Sequence, residues 1–193
     1  MKTVIIKYNA GNVVSVTNTL NRLGVEPIVS DDPEVIKAAD KVIFPGVGEA
    51  STAMEYLRAR KLDTLIVHLK QPFLGICLGQ QLMCKHSEEN DTNCLGIFDL
   101  NVIRFEPKLK VPHMGWNKLF DMKGRLFDGF PNDAFIYFVH SYYCELGPET
   151  IAKSDYITQF SAALHKDNFY AIQGHPEKSG STGQLFLEKF LKL

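Results

Sequence analysis

The chain carries a thiol where a nucleophile would stand. Phe73-Leu74-Gly75-Ile76-Cys77-Leu78-Gly79-Gln80-Gln81 reads as a short apolar strand, a tight turn and the start of a helix. The spacing Gly75-x-Cys77-x-Gly79 is the thiol form of the nucleophile elbow. Glycine suits both flanks because a side chain there would clash with the crossing backbone. The turn puts Cys77 at a helix N-terminus, where the dipole favours thiolate. Far downstream stands Ile172-Gln173-Gly174-His175-Pro176-Glu177. Pro176 biases His175 toward extended chain, in which residues i and i+2 face the same way. His175 and Glu177 are therefore expected on one side, the carboxylate orienting the imidazole and the imidazole handling the thiol proton.

A lone cysteine in a strand-turn-helix is also a common core residue, and only its surroundings distinguish Cys77. Cys84, Cys94 and Cys144 lack such surroundings and read as ordinary thiols, and His68, His86 and His165 as satisfied or solvated histidines. The run Phe44-Pro45-Gly46-Val47-Gly48-Glu49 is either a plain turn or the source of a second N–H for an oxyanion, the first coming from Leu78. Val111-Pro112-His113-Met114-Gly115-Trp116-Asn117 holds the only tryptophan, as a core plug or as a partner surface. Tyr137-Phe138-Val139-His140-Ser141-Tyr142-Tyr143 alternates like a strand and then breaks, so that its aromatics suit a core and its His140-Ser141 step a ligand.

The elements that must position these groups follow from periodicity. Up to about residue 90, strand-like runs (3–6, 27–29, 41–44, 73–76) alternate with helix-like ones (12–23, a short one from 32, 50–60, 62–69, 78–86), which argues for parallel βαβ units. After Cys94 strands dominate (100–105, 135–139, 151–156, 162–165, 169–172), and an amphipathic helix over 183–191 closes the chain. The expected fold is α/β, a flavodoxin-like three-layer αβα sandwich with a mostly parallel central sheet and a strand-rich C-terminal half. A length of 193 residues suits a single domain over 1–193. A net charge of −1 gives no whole-chain reason to expect nucleic acid or an anionic membrane. No apolar run approaches the ~20 residues that span a bilayer. Four cysteines without framework spacing, behind an N-terminus without signal-peptide layout, suit a reduced, cytoplasmic protein.

Taken together these motifs resemble the class I (triad) glutamine amidotransferases. The elbow through Gln81 matches that family's Gly-x-Cys-x-Gly-x-Gln, His175-Pro176-Glu177 its catalytic histidine and glutamate, and Phe44 to Gly48 its oxyanion loop. The 111–117 run, the run from Tyr137 to Tyr142, and Pro176-Glu177-Lys178-Ser179-Gly180 are similar to one branch, the glutaminase subunits of imidazole glycerol phosphate synthases. The resemblance covers essentially the whole chain. It implies Cys77, His175 and Glu177 as the catalytic triad. It implies glutamine contacts from Gly46, Val47, Gly48, Leu78, Gln81, Glu89, Ser141 and Tyr142, with Glu89 facing the α-amino group. It implies a heterodimer with a (βα)8-barrel cyclase subunit, bordered by His113, Met114, Trp116, Asn117 and Tyr137, and neither cofactor nor metal.

Two positions depart from the family pattern. Gly174 stands where the family usually has Phe, and a lost buried Phe is expected to cost ~3 kcal/mol or more and to loosen the base. Lys7-Tyr8-Asn9 replaces the commoner Asp-Tyr-Gly at a strand end. Two other classes fit the same residues: a cysteine peptidase or γ-glutamyl hydrolase that needs no partner, and an inactive scaffold that stabilises one.

Overall fold

The computed structural model describes residues 1–8 and 12–193; Asn9, in the second departure, lies outside them. The first half lays down β1 (Thr3–Ile6), α1 (Val13–Arg22), β2 (Ile28–Ser30), α2 (Pro33–Lys37), β3 (Lys41–Phe44), α3 (Ala50–Ala59), α4 (Leu62–Ile66), β4 (Phe73–Ile76) and α5 (Leu78–Met83). There follow β5 (His86–Ser87), β6 (Thr92–Asn93), β7 (Asn101–Arg104), β8 (His113–Lys118), β9 (Phe135–His140), β10 (Tyr142–Cys144), β11 (Thr150–Tyr156), β12 (Thr158–Lys166) and β13 (Phe169–Ile172). A 3₁₀ turn (Pro176–Lys178) and α6 (Gly180–Leu191) end the chain.

Seven strands form the main sheet in the order β11-β12-β13-β4-β3-β1-β2. The five from β13 to β2 are parallel, and β12 and β11 add an antiparallel edge. This is the expected mostly parallel sheet, built from apolar strands buried on both faces. Alternation assigns each strand residue to a layer. Val4, Ile6, Val42, Phe44 and Phe73 pack with Ile36, Met54, Leu57, Leu62, Ile66 and Leu82 of α2 to α5. Ile5, Ile43, Leu74 and Ile76 face the other way, onto Val16 and Leu20 of α1 and Phe186, Leu187 and Phe190 of α6. The three layers follow.

Several local expectations are corrected. α5 ends at Met83 instead of continuing to His86, because Cys84 turns extended and His86 joins β5, where its Nε2 meets Asp91 Oδ1 at 2.8 Å. The Met114-Gly115-Trp116 run is the middle of β8, a strand paired antiparallel with β9 in a separate two-stranded sheet. Four strands (β5, β6, β8 and β10) have no counterpart among the runs read from sequence.

Candidate active site

Adjacent parallel strands β4 and β13 deliver the key groups to one end of the sheet, outside the carboxyl ends where α/β sheets hold ligands. Cys77 follows β4 directly. Its φ of 53° and ψ of −107° mark the sharp elbow, and its N–H donates to Ile172 O at the end of β13 (2.8 Å). The flanking glycines are sterically required. A Cβ on Gly75 would come within 2.8 Å of the Gly79 backbone, and one on Gly79 within 1.9 Å of the Phe44 carbonyl oxygen.

His175 and Glu177 come together as expected, by a different backbone route. Only His175 is extended; Pro176 to Lys178 make a 3₁₀ turn that swings the carboxylate back. His175 Nδ1 and Glu177 Oε1 lie 2.7 Å apart, with both side chains fully buried. Burial alone would lower the His175 pKa. The influence of Cys77 and the Glu177 carboxylate outweighs it and raises the pKa from 6.5 to about 10. The other imidazole nitrogen, Nε2, is buried without a hydrogen-bond partner among the described residues. Asn12 Nδ2 also donates to Glu177 Oε1, a contact sequence reasoning missed.

Gly174 does not leave the base loose. Ile136 of β9, 1% exposed, occupies the space beside it, so that a Cβ on Gly174 would come within 2.8 Å of Ile136 Cγ2. The His175 N–H donates to Tyr137 O (2.8 Å), which ties the segment to β9.

The Pro45–Gly48 loop closes over the elbow. Tyr8, buried, donates its phenol to Pro45 O at 2.5 Å, and burial, with a smaller contribution from Cys77, holds its pKa well above the usual range. A Cβ on Gly46 would strike that phenol at 2.1 Å. Gly48 has a different reason to be glycine, a φ of +140°, with only an ordinary contact of 3.9 Å from its absent Cβ to Leu78 Cδ2. The N–H of Leu78, expected to face an oxyanion, instead donates to Gly46 O (3.2 Å).

Beside the elbow lies a pocket of about 300 Å³ lined by Val47, Gly48, Cys77, Leu78, Gln81, Glu89, Pro112, Val139, His140, Ser141 and Tyr142. Seven of the eight residues expected to contact glutamine line it, and the eighth, Gly46, is hydrogen-bonded to one of them, Leu78. Glu89 Oε2 accepts from the Ala50 N–H (2.7 Å) at the start of α3, and partial burial raises the Glu89 pKa. Gln81 Nε2 donates to Tyr142 O (2.9 Å) and Gln173 Oε1 (3.1 Å), and Gln173 Nε2 to Cys77 Sγ (3.7 Å). Sequence reasoning assigns Gln173 no role. The extended-chain i, i+2 spacing used in the sequence for His175 and Glu177 is also that of Gln173 and His175. Cys84 and Cys144 face each other in the core at 3.4 Å, and their contact and burial hold the Cys84 thiol protonated, as befits an unreactive pair.

The residues expected at a partner surface divide. Met114 and Trp116 are 59% and 55% exposed on one face of β8, and Trp116 meets Tyr137 edge-on. His113 is corrected to an inward-facing residue, buried between Phe138 and Tyr156, and Asn117 shares its inner face.

A model of the family Glutamine amidotransferase class-I matches residues 4–193. The chain belongs to the class I glutamine amidotransferases. Among curated members it is 59% identical to the imidazole glycerol phosphate synthase subunit HisH of Bacteroides fragilis, with all of both chains covered. It is 46% identical over the full length to the HisH subunit of Escherichia coli strain K12. Among solved structures, a putative GMP synthase subunit from Thermoplasma acidophilum superposes with a TM-score of 0.77 at 20% identity, covering 100% of this chain and 93% of that one. A glutamine amidotransferase structure gives a TM-score of 0.74 at 18% identity, covering 97% of this chain and 98% of that one. At such identities the structures speak for the fold alone. Among the described residues no helix is long and apolar enough to cross a membrane.

Proposed function

We infer that the chain is the glutamine amidotransferase subunit of an imidazole glycerol phosphate synthase in histidine biosynthesis, acting as one domain. The observation that carries this reading is full-length similarity, at 46–59% identity, to HisH subunits. The site geometry supports the assignment of roles. The Cys77 thiolate attacks the side-chain amide carbon of glutamine. His175, charged and oriented by Glu177, gives its proton to the departing ammonia, which leaves a γ-glutamyl thioester. His175 then takes a proton from water as the water attacks, and glutamate leaves. Gln81, Glu89, Ser141 and Tyr142 would hold glutamine. Ammonia would pass to a (βα)8-barrel cyclase subunit, docked as a heterodimer on the face bearing Met114, Trp116 and Tyr137. There it would be used to make imidazole glycerol phosphate and aminoimidazole carboxamide ribonucleotide.

The Leu78–Gly46 hydrogen bond supports a resting state in the free subunit. It uses up one oxyanion donor, a loss of about 10²- to 10³-fold in rate. Turning the Gly46–Val47 peptide over would release Leu78 N–H and aim Val47 N–H at the same place. Tyr8 anchors the carbonyl just before that peptide, which confines the change to it. A partner that favours the turned form would switch the enzyme on.

Glutamate release should therefore be slow from the isolated chain and rise about 10²-fold or more when the cyclase subunit, with its nucleotide ligand, is added. Imidazole glycerol phosphate should form in step with it. Full activity without the cyclase subunit would overturn the partner-switched reading. Hydrolysis of γ-glutamyl peptides by the chain alone would favour a hydrolase.

A further inference from the structure

From the half-buried Asn117 amide a line of hydrogen bonds runs through buried His113 and His140 to the pocket wall, and the reaction above does not use it. The Asn117 amide is fixed at both its atoms: Oδ1 accepts from Lys118 N–H (2.8 Å) and Nδ2 donates to Asp155 O (2.8 Å). The second hydrogen of Nδ2 points to His113 Nε2 at 3.4 Å, which must therefore be an acceptor. His113 then carries its proton on Nδ1, 3.0 Å from His140 Nε2. His140 in turn carries its proton on Nδ1 and donates it to Tyr142 O at 2.7 Å. The two ends fix the direction independently. Asn117 is set by backbone groups that only donate or only accept, and Tyr142 O accepts only. Both demand the same polarity, and it holds only for two neutral imidazoles protonated at Nδ1.

The surroundings enforce neutrality. His113 and His140 are paired directly across β8 and β9 and enclosed by Phe105, Phe138 and Phe160. Burial lowers His113 to about 4; burial lowers His140 to about 3 against the opposing bond to Tyr142. Tyr142 O is also the acceptor for Gln81 Nε2, so a carbonyl held in place holds the Gln81 amide. Gln81 presents its other hydrogen to Gln173 Oε1, which leaves Gln173 Nε2–H aimed at the Cys77 sulfur. A donor in that position suits a thiolate.

We propose that His113 and His140 are positioning residues for the glutaminase reaction: a neutral, tautomer-locked pair that fixes the Tyr142 carbonyl and, through Gln81 and Gln173, the pocket wall and the donor facing Cys77. The proposal rests on the glutaminase reading of the site. Its test is made in the complex with the cyclase subunit. His140→Phe keeps a ring but cannot donate to Tyr142 O; it should raise KM for glutamine about tenfold while kcat changes less than threefold. His140→Asn restores a donor near the Nδ1 position and should recover most of that loss. His113→Phe, one step further from the pocket, should give a smaller rise. Independently of activity, ¹⁵N spectra of the unaltered chain at pH 7 should show both imidazoles neutral and protonated at Nδ1.

An unchanged KM in a soluble His140→Phe complex would overturn the proposal, as would an Nε2-protonated His140 in the spectra. If His140→Phe does not fold, the His113→Phe kinetics and the tautomer spectra decide. If the unaltered complex does not hydrolyse glutamine, it is the glutaminase reading that fails, and the spectra still test the polarity of the chain.

Discussion

The elbow and the β8–β9 hairpin are built on opposite plans. Around Cys77, glycines let backbone lie against backbone. Gly79 abuts the Phe44 carbonyl, Gly75 abuts Gly79, and Gly46 passes under the Tyr8 phenol. Each contact is closer than any side chain would allow, so the thiol and the start of α5 have one arrangement. On the hairpin, Gly115 has a φ of +141° with nothing within 4 Å of its absent Cβ, and Met114, Trp116 and Phe135 are left exposed. One region fixes atoms for chemistry. The other leaves apolar side chains uncommitted, which suits a surface awaiting a partner. The two meet at β9, whose Ile136 and Tyr137 touch the segment carrying His175.

The largest effect should come from the elbow. Cys77→Ala should lower glutamine hydrolysis by on the order of 10⁴-fold or more, while Cys84→Ala, Cys94→Ala and Cys144→Ala keep it; glutamate release by the four variants decides. In the same Cys77 variant the imidazole of His175 should titrate at lower pH by NMR, because Cys77 is the strongest influence raising it. The sign follows from that raised value. The pairing stabilises the fold fully below pH 6.5 and is lost as pH climbs through about 10, and removing Cys77 should shrink that window.

At the seam between the regions, Gly174→Phe should overpack against Ile136 and cost about 2 kcal/mol in denaturant unfolding. Adding Ile136→Ala should give a double variant more stable than the sum of the single effects predicts. Strict additivity would show that the two positions do not share one space. On the hairpin, Trp116→Ala should weaken cyclase binding about thirtyfold, or ~2 kcal/mol, with the isolated chain still folded. A titration of the cyclase subunit measures it. Unfolding of this variant would instead make Trp116 part of the core.

The contrast also explains what the sequence disclosed. The parallel half was legible because its strands are short apolar runs between helices, and the elbow because its Gly-x-Cys-x-Gly spacing lies within five consecutive residues. Two-residue strands such as His86–Ser87 carry no periodicity to read. β8 alternates exposed Met114 and Trp116 with buried His113 and with Gly115, so polar and glycine positions mask the inward face. His113 passed for a surface residue because its partner, His140, lies 27 positions away. Gln173 was overlooked because its partners, Gln81 and Cys77, meet it only when β13 lies beside β4. The compensation for Gly174 was invisible for the same reason: Ile136 reaches it only through the fold.

The ties around Tyr137 have a consequence for observing the enzyme at work. The His175 amide donates to Tyr137 O, the Tyr137 amide donates to Ser179 Oγ, and that hydroxyl donates back to His175 O. The amide of the base is thus locked to the strand that carries the exposed aromatic face. Its hydrogen-exchange rate, read at one backbone position, becomes a clock for how firmly that strand is held, and docking on the hairpin would slow it before any glutamine is consumed.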